Sequence, residues 1–396
     1  MMKKILFVNG SYNEIPLIKA AHELGMYVIT SGNDQHGEGH KYANEYCSCD
    51  YSNKEAIYRL AKIKKVDAIC SCGNDLGAIS AAYACDKLGL PGHDCFENAC
   101  MLHEKDKFKE LVRELNLSSP KSFPFSNINK AIEHLKNVSF PQIVKPVDLG
   151  GGKGISIVNS YEAGKNAIIQ AFNKSKNKHI VIEDYIEGKQ QGVTCYIHNG
   201  KVVFDYSTDD FSYLNPYMVA FCFGPRCVEY AKIRDKIIMD VELIANYRKL
   251  HNGMLTIQFI LKDGKPYYIE TMRRCLGNMH YLCMSKDYGI NFYKLFVANE
   301  AGLDCEELIA NIKWRGTFSG FVGLYAPKNG VIKSIDIDQN FSKTVFDSYM
   351  LYGPGYEVRD YLNDKIGNLF FSFNSEYEKC LFMNKTKEIF SMTMEE

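Results

Sequence analysis

Ile143-Val144-Lys145-Pro146-Val147-Asp148-Leu149-Gly150-Gly151-Gly152-Lys153-Gly154-Ile155 runs an apolar strand carrying one lysine straight into a glycine loop. Lysine supplies a point charge for phosphate oxygens. Glycine backbone can wrap an anion because no Cβ obstructs positive φ. Lys145, Gly151, Gly152, Lys153 and Gly154 are therefore candidates for a phosphate cradle. This is not a Walker A loop, in which G-K-[ST] opens a helix, because Gly154 follows Lys153. An ordinary hairpin loop has the same composition, so the stretch needs support from elsewhere in the chain.

Support comes from three further segments. Downstream, Leu255-Thr256-Ile257-Gln258-Phe259-Ile260-Leu261 and Tyr267-Tyr268-Ile269-Glu270-Thr271-Met272-Arg273-Arg274 flank a turn. Gln258 and Glu270 interrupt the apolar pattern of two adjacent strands, and oxygen ligands so placed suit a hard cation bridging phosphates. Register imposes a condition. A strict two-residue turn at Asp263-Gly264 pairs Gln258 with Ile269 and turns Glu270 to the other face. A three-residue loop, Asp263-Gly264-Lys265, with a glycine bulge brings both to one site, and that loop is expected. Arg274, four residues past Glu270, suits a phosphate or transition-state anion. Next, Ile180-Val181-Ile182-Glu183-Asp184-Tyr185-Ile186 is an apolar strand ending in acids, and Glu183 is placed to accept from an adenine amine. Finally, in His103-Glu104-Lys105-Asp106-Lys107-Phe108, Asp106 reads as a helix cap. That leaves Lys107 in the first turn, where the macrodipole disfavours a cation unless an anion is near.

The first hundred residues alternate strand and helix signals: Ile5–Val8, Ile15–Leu24, Tyr27–Thr30, Glu55–Ile63, Ala68–Cys70 and Ile79–Leu88. This rhythm implies a parallel sheet covered by helices. Asn9-Gly10-Ser11-Tyr12-Asn13 follows the first strand with one glycine where G-x-G-x-x-G has three, which argues against a dinucleotide. Residues 206–227, rich in Tyr and Phe, read as a substrate-facing loop region, and the chain beyond 305 reads as β-rich.

The length of 396 residues exceeds one compact core. Hydrophobic residues at 46% and charged residues at 24% are ordinary for a globular protein, so disorder is not expected. A net charge of zero excludes a nucleic-acid footprint. The apolar run Ile5–Val8 is too short for a signal peptide or membrane span, so a cytoplasmic protein is expected. Fourteen cysteines then read as reduced thiols, and the pairs Cys47/Cys49 and Cys70/Cys72 lack the usual C-x-x-C metal spacing.

In this order and spacing the four segments resemble the ATP-grasp superfamily of carboxylate–amine ligases, over most of the chain. The resemblance implies a multidomain α/β and α+β architecture: a Rossmann-like leading domain at 1–102, ATP-grasp lobes at 103–305 and a small β-rich C-terminal lobe at 306–396. It implies ATP with Mg2+, or Mn2+ in its place. Lys107 and Lys145 would hold phosphates, and Glu183 with the backbone at Tyr185 and Ile186 would bind adenine. Gln190 would hold ribose, Gln258 and Glu270 the metal, and Arg274 the transferring phosphoryl group. Met272 departs from the family, standing where an asparagine ligand is usual, and Asn278 is a candidate replacement. Arg226, Arg273 and Asn278 are candidate substrate residues. Asp209, Asp210, Tyr213 and Tyr217 are further pocket candidates. The implied reaction joins a carboxylate, an amino acid being one candidate, to an amine through an acylphosphate. The alternatives are a carboxylase, a kinase-like enzyme or a non-catalytic ATP-binding module. A homodimer is the implied assembly.

Overall fold

The computed structural model describes residues 2–212, 218–225, 228–385 and 388–395. The leading segment forms a parallel sheet of order β3-β2-β1-β4, from β1 (Lys4–Phe7), β2 (Tyr27–Gly32), β3 (Glu45–Ser48) and β4 (Ala68–Cys70). Helix α1 (Ile15–Glu23) connects β1 to β2, α2 (Lys54–Lys64) connects β3 to β4, and α3 (Asp75–Leu88) follows β4. The Asn53 and Asn74 side chains cap α2 and α3, accepting backbone N–H groups, and Gly89 ends α3 in the left-handed conformation.

Two short helices follow, α4 (Phe96–His103) and α5 (Lys105–Glu114). Phe108, Leu111 and Val112 of α5 are fully buried, each worth about 2 kcal/mol of transfer free energy. A second sheet of order β5-β8-β6-β7 is built from β5 (Ser122–Phe125), β6 (Gln142–Pro146), β7 (Ser156–Val158) and β8 (Ile180–Asp184). Helices α6 (Ile128–His134) and α7 (Tyr161–Lys174) share its core with Val144, Ile180 and Ile182.

The largest sheet has eight strands in the order β13-β12-β9-β10-β11-β14-β18-β16. Its strands are β9 (Lys189–His198), β10 (Lys201–Phe211), β11 (Phe221–Phe223), β12 (Gly253–Lys262), β13 (Lys265–Met272), β14 (Phe318–Tyr325), β16 (Val345–Met350) and β18 (Lys365–Phe373). The helix α8 (Val228–Tyr247) buries Ile237, Val241 and Ile244 in a cluster with Phe108, Leu255 and Phe259. A small sheet of order β17-β15-β19 completes the C-terminal part, with β15 (Gly330–Ile337), β17 (Glu357–Val358) and β19 (Phe390–Met394).

Two expectations change. The aromatic stretch 206–227 is not a loop throughout: β10 runs to Phe211, and Phe221–Phe223 pairs with both β10 and β14. Tyr213, Tyr217 and Arg226 lie outside the described residues. The C-terminal segment is β-rich as expected, but the proposed boundary at 305/306 is spanned by one continuous sheet through the β11–β14 pairing.

Arg273, a candidate substrate residue, is instead a joint between the leading segment and the large sheet. Its Nε donates to Asp94 Oδ2 at 2.8 Å, and its terminal nitrogens donate to the carbonyls of Met254, His251 and Asn252. Asp94 also accepts the His251 N–H at 2.6 Å. With its donors taken by protein oxygens, this guanidinium has no fork left for a substrate carboxylate. Arg273→Met should lower stability by about 3 kcal/mol, because Asp94 is left buried and unpaired. Thermal unfolding checks this, with KM values for every substrate unchanged; a raised KM at unchanged Tm would restore the substrate role.

Candidate active site

The site lies between the four-stranded sheet of β5–β8 and one face of the eight-stranded sheet. On the first wall, β6 and β8 pair antiparallel, with Ile143 opposite Glu183 and Lys145 opposite Val181. Lys145 and Glu183 are thus diagonal neighbours on one face, and their side chains meet at 2.7 Å, both buried. Glu183 Oε1 faces a third buried group, Lys109 of α5, at 3.8 Å. Lys109 also donates to the Tyr268 carbonyl at 2.7 Å. Burial lowers the Lys109 ammonium to about 8, only partly opposed by Glu183. Burial raises the Glu183 carboxyl, but Lys109 and Lys145 outweigh it and hold the group below its ordinary value. Glu183 therefore engages two lysines, which corrects its expected adenine role: its carboxylate positions Lys145.

The glycine loop leaves this wall with Gly151, Gly152 and Gly154 at φ of +65°, +75° and +75°. A Cβ on Gly154 would also lie 2.9 Å from Pro146 Cγ. Lys105, the first residue of α5, donates to the Leu149 carbonyl at 2.9 Å and lies 3.4 Å from Glu270. It thereby ties the loop to the second wall. Lys107 does not join this cluster. The helix begins one residue earlier than the expected Asp106 cap, and Lys107 sits on its outer side, paired with Glu104 at 3.0 Å. Lys105 and Lys109 are one turn apart on the buried face.

On the second wall, Glu270, Gln258, Gly192 and Thr208 form a row across β13, β12, β9 and β10. The expected three-residue loop is absent: Lys262 pairs with Lys265 around a two-residue turn, with Asp263 and Gly264 at φ of +51° and +72°. A bulge at Ile269 does the work instead. Phe259 pairs with Tyr268, but Gln258 pairs with Glu270, so one extra residue returns Glu270 to the face of Gln258. Gly192 leaves room beside Gln258, since a Cβ there would lie 3.0 Å from Thr208 Oγ1 and 3.3 Å from Asp210 Oδ2. Through this gap Gln258 Nε2 donates to Asp210 Oδ2 at 3.0 Å. With its NH2 so held, Gln258 has its amide oxygen left to offer. Asp210 is raised to about 6 by burial, against hydrogen bonds from Cys222, Thr208 and Gln258. Gln190 lies on the same face one row along, opposite Ile260. Met272 is two residues past Glu270 and packs against the apolar cluster that includes Tyr196 and Met254.

Arg274 is buried and donates Nε to Asp75 Oδ1 at 2.7 Å. Asp75, at the start of α3, also meets His103 Nδ1 at 3.0 Å. His103 Nε2 accepts the Arg273 N–H, so the network assigns the ring proton to Nδ1, which donates to Asp75. Burial alone would raise the Asp75 carboxyl, but Arg274 and His103 outweigh it and hold it well below the usual range. Between the sheets, Tyr185 and Ile186 are half-buried, and the Tyr185 N–H is spent on the Pro141 carbonyl at 3.3 Å. Asn278 is not beside Glu270: its side chain meets Tyr12 and Lys365. Among the described residues no cluster of three His, Cys, Asp or Glu forms a metal cage, and the described cysteines are free thiols. Gln258 and Glu270 supply only two oxygen donors, which fits a hard cation completed by phosphate and water.

Sequence reasoning missed Lys105, Lys109, His103 and Asp75. The spacing of Lys105 and Lys109, four residues apart on the face that also carries Phe108 and Val112, was the available signal.

Residues 103–216 match the family model described as phosphoribosylglycinamide synthetase, ATP-grasp (A) domain. The phosphoribosylglycinamide synthetase structure from Anaerococcus prevotii superposes with a TM-score of 0.77 at 23% identity, covering 100% of both chains. The L-amino acid ligase structure from Bacillus licheniformis gives 0.81 at 18% identity, covering 100% of this chain and 99% of that one. The carbamoyl phosphate synthase large chain of Clostridium botulinum (strain Langeland / NCTC 10281 / Type F) is 22% identical over 288 residues, 69% of this chain and 26% of that one. The chain thus spans about a quarter of that relative's length. The chain shares the fold of these structures over its whole length, and residues 103–216 match an ATP-grasp domain. No helix among the described residues is long and apolar enough to cross a membrane.

Asp75→Asn should cost about 2–3 kcal/mol at pH 7, because Arg274 and His103 lose their shared acceptor. The folded-state pKa of Asp75 is depressed, so its stabilisation is complete above about pH 5 and shrinks below about pH 4 as the unfolded carboxyl protonates. Urea unfolding of both proteins at pH 7 and pH 3 should show the gap narrowing on acidification.

Proposed function

We propose that the chain is a magnesium-dependent ligase that uses ATP to activate a carboxylate and join it to an amine. The observation that carries this reading is Lys105, which touches both the glycine loop after Lys145 and Glu270, the strand neighbour of Gln258. Buried lysines facing a loop of positive-φ glycines ask for an anion, and paired oxygen donors opposite ask for its cation.

In this reading Lys105 and Lys145 neutralise phosphate oxygens, and Glu183 fixes Lys145 in place. The backbone of Tyr185 and Ile186 meets the adenine edge, and Gln190 meets the ribose. Glu270 and the Gln258 amide oxygen hold Mg2+, which when bound supplies charge neutralisation of the phosphates. Arg274, oriented by Asp75, stabilises charge on the phosphoryl group as the substrate carboxylate attacks it. ADP leaves, and the amine displaces phosphate from the resulting acylphosphate. Catalysis is then mainly positioning and electrostatics. The cytoplasm is the proposed compartment, and a homodimer the proposed assembly.

ADP release, screened across amino acids and other carboxylates with amine acceptors, tests the reading. Hydroxylamine should trap a hydroxamate in the presence of ATP and the right carboxylate. No hydroxamate together with no substrate-stimulated ADP release would sink the proposal. Glu270→Ala should abolish turnover. Lys105→Met should raise KM for ATP by about tenfold or more, the worth of a charge-assisted hydrogen bond. Lys107→Met should leave it within about twofold, as for an exposed pair.

A further inference from the structure

Lys365 opens β18, and its ammonium has no carboxylate partner among the described residues. It donates to Asn278 Oδ1 and, at 3.2 Å, to Asn368 Oδ1. Its remaining neighbours are aromatic faces, Phe321 at 5.9 Å and Tyr325 at 5.5 Å from the ring centroids. Gly323, on the adjoining β14, makes the space, since a Cβ there would lie 3.2 Å from Nζ. Lys105, Lys109, Lys145, Arg274 and Lys379, by contrast, each have a carboxylate at 3.8 Å or less. Burial with nothing to offset it lowers the Lys365 ammonium to about 7. Holding an unpaired cation in such a place is costly, and a partner anion removes most of that cost.

The surroundings are assembled from three parts of the chain. Asn278 lies on the segment that leaves β13 after Glu270 and Arg274. Its Oδ1 also accepts from Tyr12 Oη of the leading segment, at 3.5 Å. The Tyr12 ring stacks on Tyr349 of β16, with centroids 5.5 Å apart. Nearby, Gly277 packs against Gly73, two residues before Asp75, and Asn13 Oδ1 is buried there with no hydrogen-bond partner. Tyr12, Asn13, Gly277, Asn278 and Lys365 are all only partly buried, and the Gly277–Gly73 contact joins this group to the segment that leads into Asp75. An ammonium has three donors. Two are taken by amide oxygens, which leaves one for an arriving anion.

We propose that Lys365 and Asn278, backed by Tyr12, seat one carboxylate group of a substrate, and that the lone cation selects a carboxylate over a phosphate ester. The class follows from charge. One ammonium balances one carboxylate, whereas a phosphate ester carries about −1.5 to −2 at pH 7 and would leave charge buried and unpaired. The occupant's being a substrate rests on the ligase reading; the selectivity of the seat does not.

Calorimetric titration of the full chain with L-amino acids, their carboxamides, O-phosphoserine and ribose 5-phosphate tests this, with MgADP titrated in parallel. At least one free carboxylate should bind, its carboxamide and the phosphate esters should bind more weakly, and Lys365→Met should weaken the carboxylate by about tenfold or more. Asn278→Asp keeps side-chain volume and gives Lys365 an internal counter-ion. It should abolish carboxylate binding while raising Tm, an outcome that simple misfolding does not produce. MgADP affinity should stay at the wild-type value in both variants. The inference is overturned if no carboxylate binds the wild type, if both variants bind it unchanged, or if a phosphate ester binds at least as tightly. Loss of MgADP binding by the wild type would instead undo the ATP reading and leave the carboxylate result to stand alone.

Discussion

Two buried ammonium groups share a single buried carboxylate in this protein, and much else in the site answers to that imbalance. Glu183 meets Lys145 at 2.7 Å and Lys109 at 3.8 Å, so the interior of the smaller sheet holds more positive than negative charge. Burial lowers the Lys109 ammonium to about 8, and Lys145 stands at the foot of a loop whose Gly151, Gly152 and Gly154 have positive φ. One carboxylate of the opposite wall, Glu270, faces these lysines from across the gap, with Lys105 touching both it and the loop. A site arranged in this way is preorganised, because its charges stand in place before any ligand arrives.

The strongest sequence signals were those in which local chemistry dictates geometry. Lys145 with its glycines, the β1–β4 rhythm and the paired interruptions Gln258 and Glu270 all fall in the elements expected of them. What failed was the detail that depends on tertiary packing. Register was argued from the turn, yet the turn is an ordinary two-residue one and the extra residue sits at Ile269, inside the strand. A bulge there leaves no composition signature, since Ile269 is a good strand residue. The choice of Lys107 over Lys105 failed for a related reason. Asp106 looks like a cap, but packing of Phe108, Leu111 and Val112 sets the start and rotation of the helix, and those fix which lysine points inward.

Arginines 273 and 274 show why adjacent identical residues need a structure to be told apart. They find different partners: one is consumed by Asp94 and three carbonyls, the other by Asp75 and the Cys275 carbonyl. His103 joins them, accepting from the Arg273 backbone and meeting Asp75 with its other nitrogen. Both arginines are thus tied through one imidazole, and both depend on the leading segment, which supplies Asp75 and Asp94 without itself carrying Lys105, Lys109 or Lys145.

The sheet that crosses from β13 to β16 has a mechanical meaning. Because β11 hydrogen-bonds to both β10 and β14, the strands that carry Gln258 and Glu270 and the C-terminal strands form one continuous plate. A plate of that kind transmits displacement without absorbing it. Glu270 on β13 and Lys365 on β18 are therefore carried by one and the same sheet, toward its two ends, like two marks on a ruler.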